Sequence, residues 1–311
     1  MMIERPIYLE ELKRWKDQNL IKVVTGIRRC GKSTLFDLFI TDLLKEGVQK
    51  EQIIKINLED PDYHFSNYME LYQFIVNQLQ EEKKYYVFLD EVQNVVDFQK
   101  AVDGLYIKKN VDLYITGSNA YLLSGELATL LSGRYVEIKM LPLSFKEFVS
   151  AFESNNISML FLDYMQYGGM PGNIPILKKN PNDLDRYLDG IFSTVVYKDI
   201  MSRKQITDKS LLENILKFLF DSIGSPISTK KISDTLTSKG ISTSNHTVEN
   251  YITAFVESFL IYKAERFDVK GKNLLVRDYK YYSVDTGLRS YLLGKKADSD
   301  MGHILENIVY L

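Results

Sequence analysis

Gly26-Ile27-Arg28-Arg29-Cys30-Gly31-Lys32-Ser33, with Thr34 behind it, satisfies the spacing G-x4-G-K-[ST]. Glycines at these places let backbone N–H groups curl round an anion, and the ammonium of Lys32 can reach terminal phosphate oxygens. The hydroxyl of Ser33 suits Mg²⁺, and a helix opening there turns its positive end to the same anion. The chemistry is the binding of a nucleoside triphosphate, with ATP and Mg²⁺ as the expected occupants of Gly26–Thr34. Of Arg28 and Arg29, one is expected at the adenine end or a lid and the other in solvent. Cys30 is expected to be a small filler of the loop; the alternative is an oxidation-prone thiol whose pKa is lowered beside Lys32.

A phosphate cradle needs a metal-binding acid. Tyr85-Tyr86-Val87-Phe88-Leu89-Asp90-Glu91 is an apolar run ending in two acids. Asp90 is the candidate for the Mg²⁺ shell, and Glu91 for orienting and deprotonating a water. A kinase has no use for a water-activating Glu, so hydrolysis is favoured over small-molecule phosphoryl transfer. A third run, Asp112–Thr116, leads into Gly117-Ser118-Asn119, where either polar side chain could sense the γ-phosphate or the attacking water. Arg134, in Ser132-Gly133-Arg134-Tyr135, is the candidate arginine finger, acting on a neighbouring copy or within its own chain. An ordinary surface arginine is the alternative.

These residues need a scaffold. Runs at Leu20–Thr25, Gln52–Leu58, Tyr85–Leu89, Asp112–Thr116 and Tyr135–Leu141 have the length and β-branching of strands. Helical patterns lie between them at Ser33–Glu46, Asn67–Glu82, Phe98–Lys109 and Ala120–Ser132. Strands alternating with helices predict a doubly wound parallel sheet. From Ser144, a predicted N-cap with Glu147 in the capping-box position, the pattern is helical to about Ser202, broken at Tyr167–Asn173 by Gly-Gly and Pro.

Three further helices follow, at Leu211–Ile223, Ser228–Lys239 and Ser244–Leu260, then alternating runs at Ile261–Val269 and Asn273–Val284. Three helices and a hairpin describe a winged helix-turn-helix, or a plain helical domain with a hairpin. Arg266–Lys296 holds eight Lys/Arg against three acids, whereas Thr207–Glu265 holds six Lys against seven acids. A basic wing beside a neutral helix pair suits phosphate contact with double-stranded DNA through Lys270, Lys272, Arg277 and Lys280. The candidate recognition helix offers Asn245, His246, Asn250 and Thr253, and docking to a protein is the competing use.

Composition limits the alternatives. The 311 residues are 45% apolar with a net charge of −2, so any nucleic-acid surface must be local. One Cys and three isolated His argue against a structural zinc site, and no apolar run approaches the length of a membrane span. The Glu- and Lys-bearing N-terminus is unlike a secretion signal, and a cytoplasmic protein is expected.

The order GIRRCGKST, FLDEVQN, TGSNAYLLS, LSGRYVEIKMLPLSFKEF, GGMP and YYSVDTGLRSYLLG…GHILENIVYL resembles a family of prokaryotic AAA-type ATPases. In that family an N-terminal AAA domain precedes a domain of unknown function. The resemblance covers nearly the whole chain. It implies a P-loop ATPase core at 1–150, a helical lid at 151–205 and a winged-helix domain at 206–298. It matches Lys32, Ser33, Asp90, Glu91, Ser118 or Asn119, and Arg134 to the family's nucleotide site, and Gly169-Met170-Pro171 to a lid turn. It also implies that 299–311 begins a nuclease-like domain cut short at Leu311. Glu306 then lacks metal-binding partners, no nuclease activity is expected, and the apolar stripe Ile304, Leu305, Ile308 and Val309 has nothing to bury against. The expected function is an ATP-hydrolysing molecular switch that couples ATP or ADP to DNA binding and forms a homo-oligomer through Arg134. The alternative is a signalling ATPase whose winged helix contacts protein.

Overall fold

The structure is a computed structural model and describes residues 2–120, 131, 133–154, 156–265, 278–294 and 300–311. The chain divides into two compact units. One is Met1–Gly26 with Gly31–Met140; the other is Ile27–Cys30 with Leu141–Leu311. The first unit therefore closes earlier than residue 150. The regions expected as lid, winged helix and terminal segment fall together in the second.

The first unit is a parallel sheet of β1 (Ile21–Thr25), β2 (Ile53–Asn57), β3 (Tyr85–Asp90), β4 (Val111–Gly117) and β5 (Tyr135–Lys139), in the order β2-β3-β4-β1-β5. All five strands stand where the apolar runs predict them. β1 and β3 are buried along their whole length, as central strands covered on both faces must be, whereas β2 alternates. Side-chain alternation then assigns the faces. Val87, Leu89, Leu113 and Ile115 pack with Leu71 and Ile75 of α3 (Tyr68–Val76) and with Val102 and Leu105 of α4 (Phe98–Tyr106). On the opposite face Phe88 and Tyr114 stack at 4.7 Å and meet Phe36 and Phe39 of α2 (Lys32–Lys45) edge-on or tilted. Before β1 comes α1 (Pro6–Trp15). The predicted helix at Asn67–Glu82 ends at Val76; beyond it Leu79 is the one apolar residue of Asn77–Lys84, too little to continue an amphipathic face. The predicted helix at 120–132 lies almost wholly outside the described residues.

The second unit is mainly helical: α5 (Phe145–Ser150), α6 (Ile157–Tyr167), α7 (Asn173–Lys179) and α8 (Leu184–Thr194), which runs on through a π-helical stretch at Val195–Met201. Ser144 and Glu147 form the predicted capping box. Next come α9 (Lys209–Asp221), α10 (Thr229–Ser238) and α11 (Asn245–Glu257), then β6 (Ile261–Ala264) paired antiparallel with β7 (Lys280–Ser283). Most of the predicted wing, with Lys270, Lys272 and Arg277, lies outside the described residues.

The unit ends with α12 (Thr286–Leu293) and α13 (Met301–Tyr310). Here one expectation needs correcting. The apolar stripe of α13 is not without a partner: Ile304 is fully buried and, with Ile308, packs on Phe161 and Met165 of α6. Leu305 and Val309 stay on the exposed side of the helix.

Two long-range clamps hold the units internally. In the second unit the buried carboxylate of Asp285 caps α12 through Leu288 N and accepts from Gly169 N at 2.7 Å. This fastens the Gly-Gly turn to the VDTGL segment. A Cβ on Gly169 would stand 2.3 Å from the carbonyl oxygen of Leu143, so only glycine fits there. In the first unit Lys22, Asp112, Tyr114 and Asp17 form a network at the amino-terminal edge of the sheet.

Candidate functional site

Strand register brings the site residues to one edge of the sheet. Thr25 at the end of β1 pairs with Gly117 of β4, and Leu89 of β3 with Ile115. Asp90, Glu91, Ser118 and the phosphate loop therefore leave the sheet at its carboxyl-terminal edge. The strand order jumps there from β1 to β2, the kind of switch point where doubly wound sheets hold ligands.

The loop takes the shape that its glycines permit. Gly26 has φ 152° and Gly31 φ 105°, conformations that a side chain disfavours, and Lys32 opens α2 immediately afterwards. Lys32 is 4% exposed; its Nζ donates to Gly26 O at 3.1 Å and lies 3.3 Å from Glu91 Oε1. Ser33 and Thr34 form the first turn of the same helix.

Asp90 is buried and accepts hydrogen bonds from the hydroxyls of Ser33 and Thr116. Burial pushes its carboxyl pKa above the ordinary range, against the pull of those hydroxyls. A desolvated carboxylate held mainly by neutral hydroxyls gains from a cation at its free lone pairs. Ser33 and Asp90 together thus fit the few protein ligands that Mg²⁺ takes beside phosphate oxygens. Among the described residues no cluster of three or more His, Cys, Asp or Glu could hold a metal by itself.

Glu91 is 7% exposed and its backbone has φ 54°, fixed by a 2.8 Å hydrogen bond from its N–H to Thr116 Oγ1. One carboxylate oxygen faces Lys32, and the other accepts from Gln93 Nε2. Ser118 is buried and accepts from Gln93 Nε2 at 3.2 Å; Asn119 is buried beside it. Thr116 and Gln93 escape a reading by residue type. Thr116 looks like an ordinary strand residue, and Gln93 carries no charge. Their only signal is position, next to Gly117-Ser118 and two residues past the acid pair.

Arg28 is buried within the second unit, where its Nε and Nη2 donate to Asp199 Oδ2 at 3.1 Å and Oδ1 at 3.2 Å. Arg29 is exposed yet hydrogen-bonds Tyr187, so neither arginine is simply a solvent residue. Cys30 is fully buried, as suits a filler, and lacks the exposure of a redox thiol. Ile27 is buried too.

Arg134 donates to Asp103 Oδ1 at 2.5 Å and covers the ring of Tyr106. Its carbonyl accepts from Ile21 N, which places it at the amino-terminal edge of the sheet. Gly26 lies five residues along β1, about 17 Å of strand away. Arg134 therefore does not join the cluster of Lys32, Asp90 and Glu91 within its own chain. Lys280, named as a DNA contact, is bound to Glu306 at 2.8 Å, and Tyr282 donates to the same carboxylate.

Comparison with known proteins places this geometry. Residues 18–149 match the family model of an AAA domain, and residues 159–299 that of a domain of unknown function. An uncharacterized protein of Haemophilus influenzae is 40% identical over 316 residues, spanning 100% of this chain and 78% of its own. The chain belongs to the same family as that protein. An uncharacterized protein of Methanocaldococcus jannaschii is 32% identical over 309 residues, spanning 94% of this chain and 66% of its own. Among solved structures, a Walker-type ATPase of Pyrococcus abyssi is similar at TM-score 0.67 and 15% identity, covering 93% of this chain and 95% of that one. At that identity the likeness shows a shared fold. The chain thus carries an AAA domain with the five-stranded parallel sheet of P-loop ATPases. No described helix is long and apolar enough to cross a membrane.

Proposed function

We propose that the protein binds ATP with Mg²⁺ and hydrolyses it to ADP and phosphate. The observation that carries this reading is the convergence of Lys32, Ser33, Asp90 and Glu91 at one sheet edge, with Glu91 buried and directed by two side chains. The backbone of Gly26–Thr34 and the start of α2 cradle the phosphates, and Lys32 neutralises their terminal charge. Ser33 and Asp90 would hold the magnesium ion, which when bound would offset the negative charge of the phosphates. Glu91 takes a proton from water as its oxygen bonds to the γ-phosphorus, the bond from that phosphorus to the bridging oxygen breaks, and ADP leaves. At the end of β4, Asn119 can report on the γ-phosphate, while Ser118 is tied to Gln93.

The name of the Pyrococcus protein supports the same reading, as does the AAA domain. Equilibrium binding of Mg-ATP tests it. Lys32→Ala should abolish binding, and Glu91→Gln should bind without turnover; a Lys32→Ala protein with wild-type affinity would overturn the site.

Coupling to an output is the finer part of the proposal. The three helices α9–α11 and the β6-β7 pair have the element order of a winged helix, and Lys270, Lys272 and Arg277 would contact the phosphates of duplex DNA. Lys280 belongs to that set too; its half-exposed ion pair with Glu306 is weak enough to exchange for a phosphate. Contact with protein is the competing output, favoured by α11, which carries Glu249 and Glu257 and no Lys or Arg. Anisotropy of a labelled duplex with the Glu91→Gln protein, Mg-ATP and two salt concentrations separates them: salt-sensitive binding means DNA, and none in any nucleotide state means protein. In this reading Arg134 serves a neighbouring copy in a homo-oligomer.

A further inference from the structure

Gln93 stands two residues past Glu91, in the single turn Val92–Asn94. Its Nε2 donates both to Glu91 Oε2 and to Ser118 Oγ, while its Oε1 is buried and meets no donor among the described residues. Leaving an amide oxygen buried without a donor is unfavourable, and sites that tolerate it commonly have a functional reason. The two donations set the orientation of this side chain.

Resting on the ATPase reading above, we propose that Gln93 is a positioning residue. It keeps Glu91 aimed as the base by tying its carboxylate to Ser118 at the end of β4. The argument turns on Lys32. Glu91 is held on both carboxylate oxygens, by Lys32 on one and by Gln93 on the other. A triphosphate carries several negative charges and draws Lys32 towards itself, which weakens the first restraint at the moment the base is needed. The backbone of Glu91 stays anchored on Thr116, but a glutamate side chain beyond a fixed Cα still has three rotatable bonds. Gln93 is a restraint that bound nucleotide does not compete for. Ser118, to which it is tied, follows directly on a strand paired with β1 and β3, so the tether ends on a rigid element.

The test compares Gln93→Met, similar in length but without donors, with the wild-type chain. Mg-ATP affinity is measured by equilibrium titration and hydrolysis by single turnover. Misplacing a base by about 1 Å costs on the order of 100-fold in rate, so turnover should fall by about that factor, with affinity held within about threefold. Ser118→Ala should reproduce part of the loss and add nothing to Gln93→Met, because both cut one tether. A variant that turns over within about threefold of wild type overturns the inference. So does an equal loss of affinity and rate, which marks a purely structural residue, or a Ser118→Ala effect that multiplies the Gln93→Met effect. If Gln93→Met does not fold, by thermal unfolding, Gln93→Ala takes its place on the same criteria. A folded wild-type chain that binds no ATP, or binds without turnover, overturns the ATPase reading itself, and with it this inference.

Discussion

Replacing Glu91 by Gln should tighten nucleotide binding while destabilising protein prepared without nucleotide. Lys32 Nζ lies 3.3 Å from Glu91 Oε1 with both residues buried. At an effective dielectric near 20 the gross attraction at that distance is about 5 kcal/mol, much of which offsets the desolvation of two ions. Removing one charge of a buried pair leaves the other uncompensated and typically costs about 3–5 kcal/mol. The glutamine amide and the carbonyl oxygen of Gly26, 3.1 Å from Nζ, soften this, so the low end of about 3 kcal/mol is expected.

Phosphates offer Lys32 the counter-charge that the substitution removes. If about half the deficit is recovered on binding, the gain is about 1.4 kcal/mol, or tenfold in Kd. Two assays read the two halves of the argument. Isothermal titration with Mg-ATP should show the tenfold tightening. Thermal unfolding without nucleotide should show a midpoint lower by about 6–12 °C, and a larger rise on adding ATP than wild type shows. Unchanged affinity together with an unchanged midpoint would mean that Glu91 does not restrain Lys32, and the reasoning would fail at its first step.

Asp112→Asn should cost about 3–5 kcal/mol in urea unfolding, since it leaves the ammonium of fully buried Lys22 without its counter-ion; a change below about 1 kcal/mol would contradict the pair. Burial pushes the carboxyl of Asp285 up to about 6 from 3.8. The folded protein then binds more protons than the unfolded chain between those values. Stability from this group is full below about pH 4 and lost as pH rises through about 6, a fall of about 3 kcal/mol. Unfolding measured from pH 4 to 7 should show that slope in the wild type and lack it in Asp285→Asn. If Arg134 serves a neighbouring copy, wild-type hydrolysis per molecule should rise with protein concentration and that of Arg134→Ala should stay low and flat; a flat wild-type curve would refute the role.

The scaffold of the first unit was legible because its central strands are short apolar runs set between polar breaks, the pattern that burial on both faces requires. The order of those strands was not, because nothing in β1 says that β4 and β5 will flank it. Lys32, Ser33, Asp90 and Glu91 were visible as motifs, since backbone shape and charge demand particular residue types at fixed spacing. What escaped was made by contacts distant in sequence. Arg28 looked like a nucleotide or solvent residue until Asp199 was found against it, and Asp285 gave no sign that it would hold Gly169, 116 positions earlier. Gln93 was hidden for a different reason. It is close in sequence, but an uncharged amide has no pattern that separates an exposed loop residue from one turned inward onto a carboxylate. The stripe on α13 is legible as apolar, but its cover by α6 is not, because amphipathicity marks a face and not its partner.

Asp112 and Asp90 show how burial can distinguish structure from chemistry when residue type cannot. Both are buried carboxylates in the same sheet, one at its amino-terminal edge and one at its carboxyl-terminal edge. Asp112 has its own cation in Lys22 and also accepts from Tyr114 Oη at 2.8 Å and Asp17 N at 2.9 Å. A carboxylate so completely served gains little from a further ligand, and its network fixes β1, β4 and the turn after α1. Asp90 is held by two hydroxyls, and the field of Lys32 influences its proton affinity less than burial does. Hydroxyls orient a carboxylate without neutralising it, so its charge remains available to a metal ion. The lysine beside this site is shared rather than committed, standing between Glu91 and the space where phosphates are expected. Charge that is fully paired within the chain holds the sheet together, whereas charge that is oriented but not neutralised marks the edge where nucleotide and magnesium would bind.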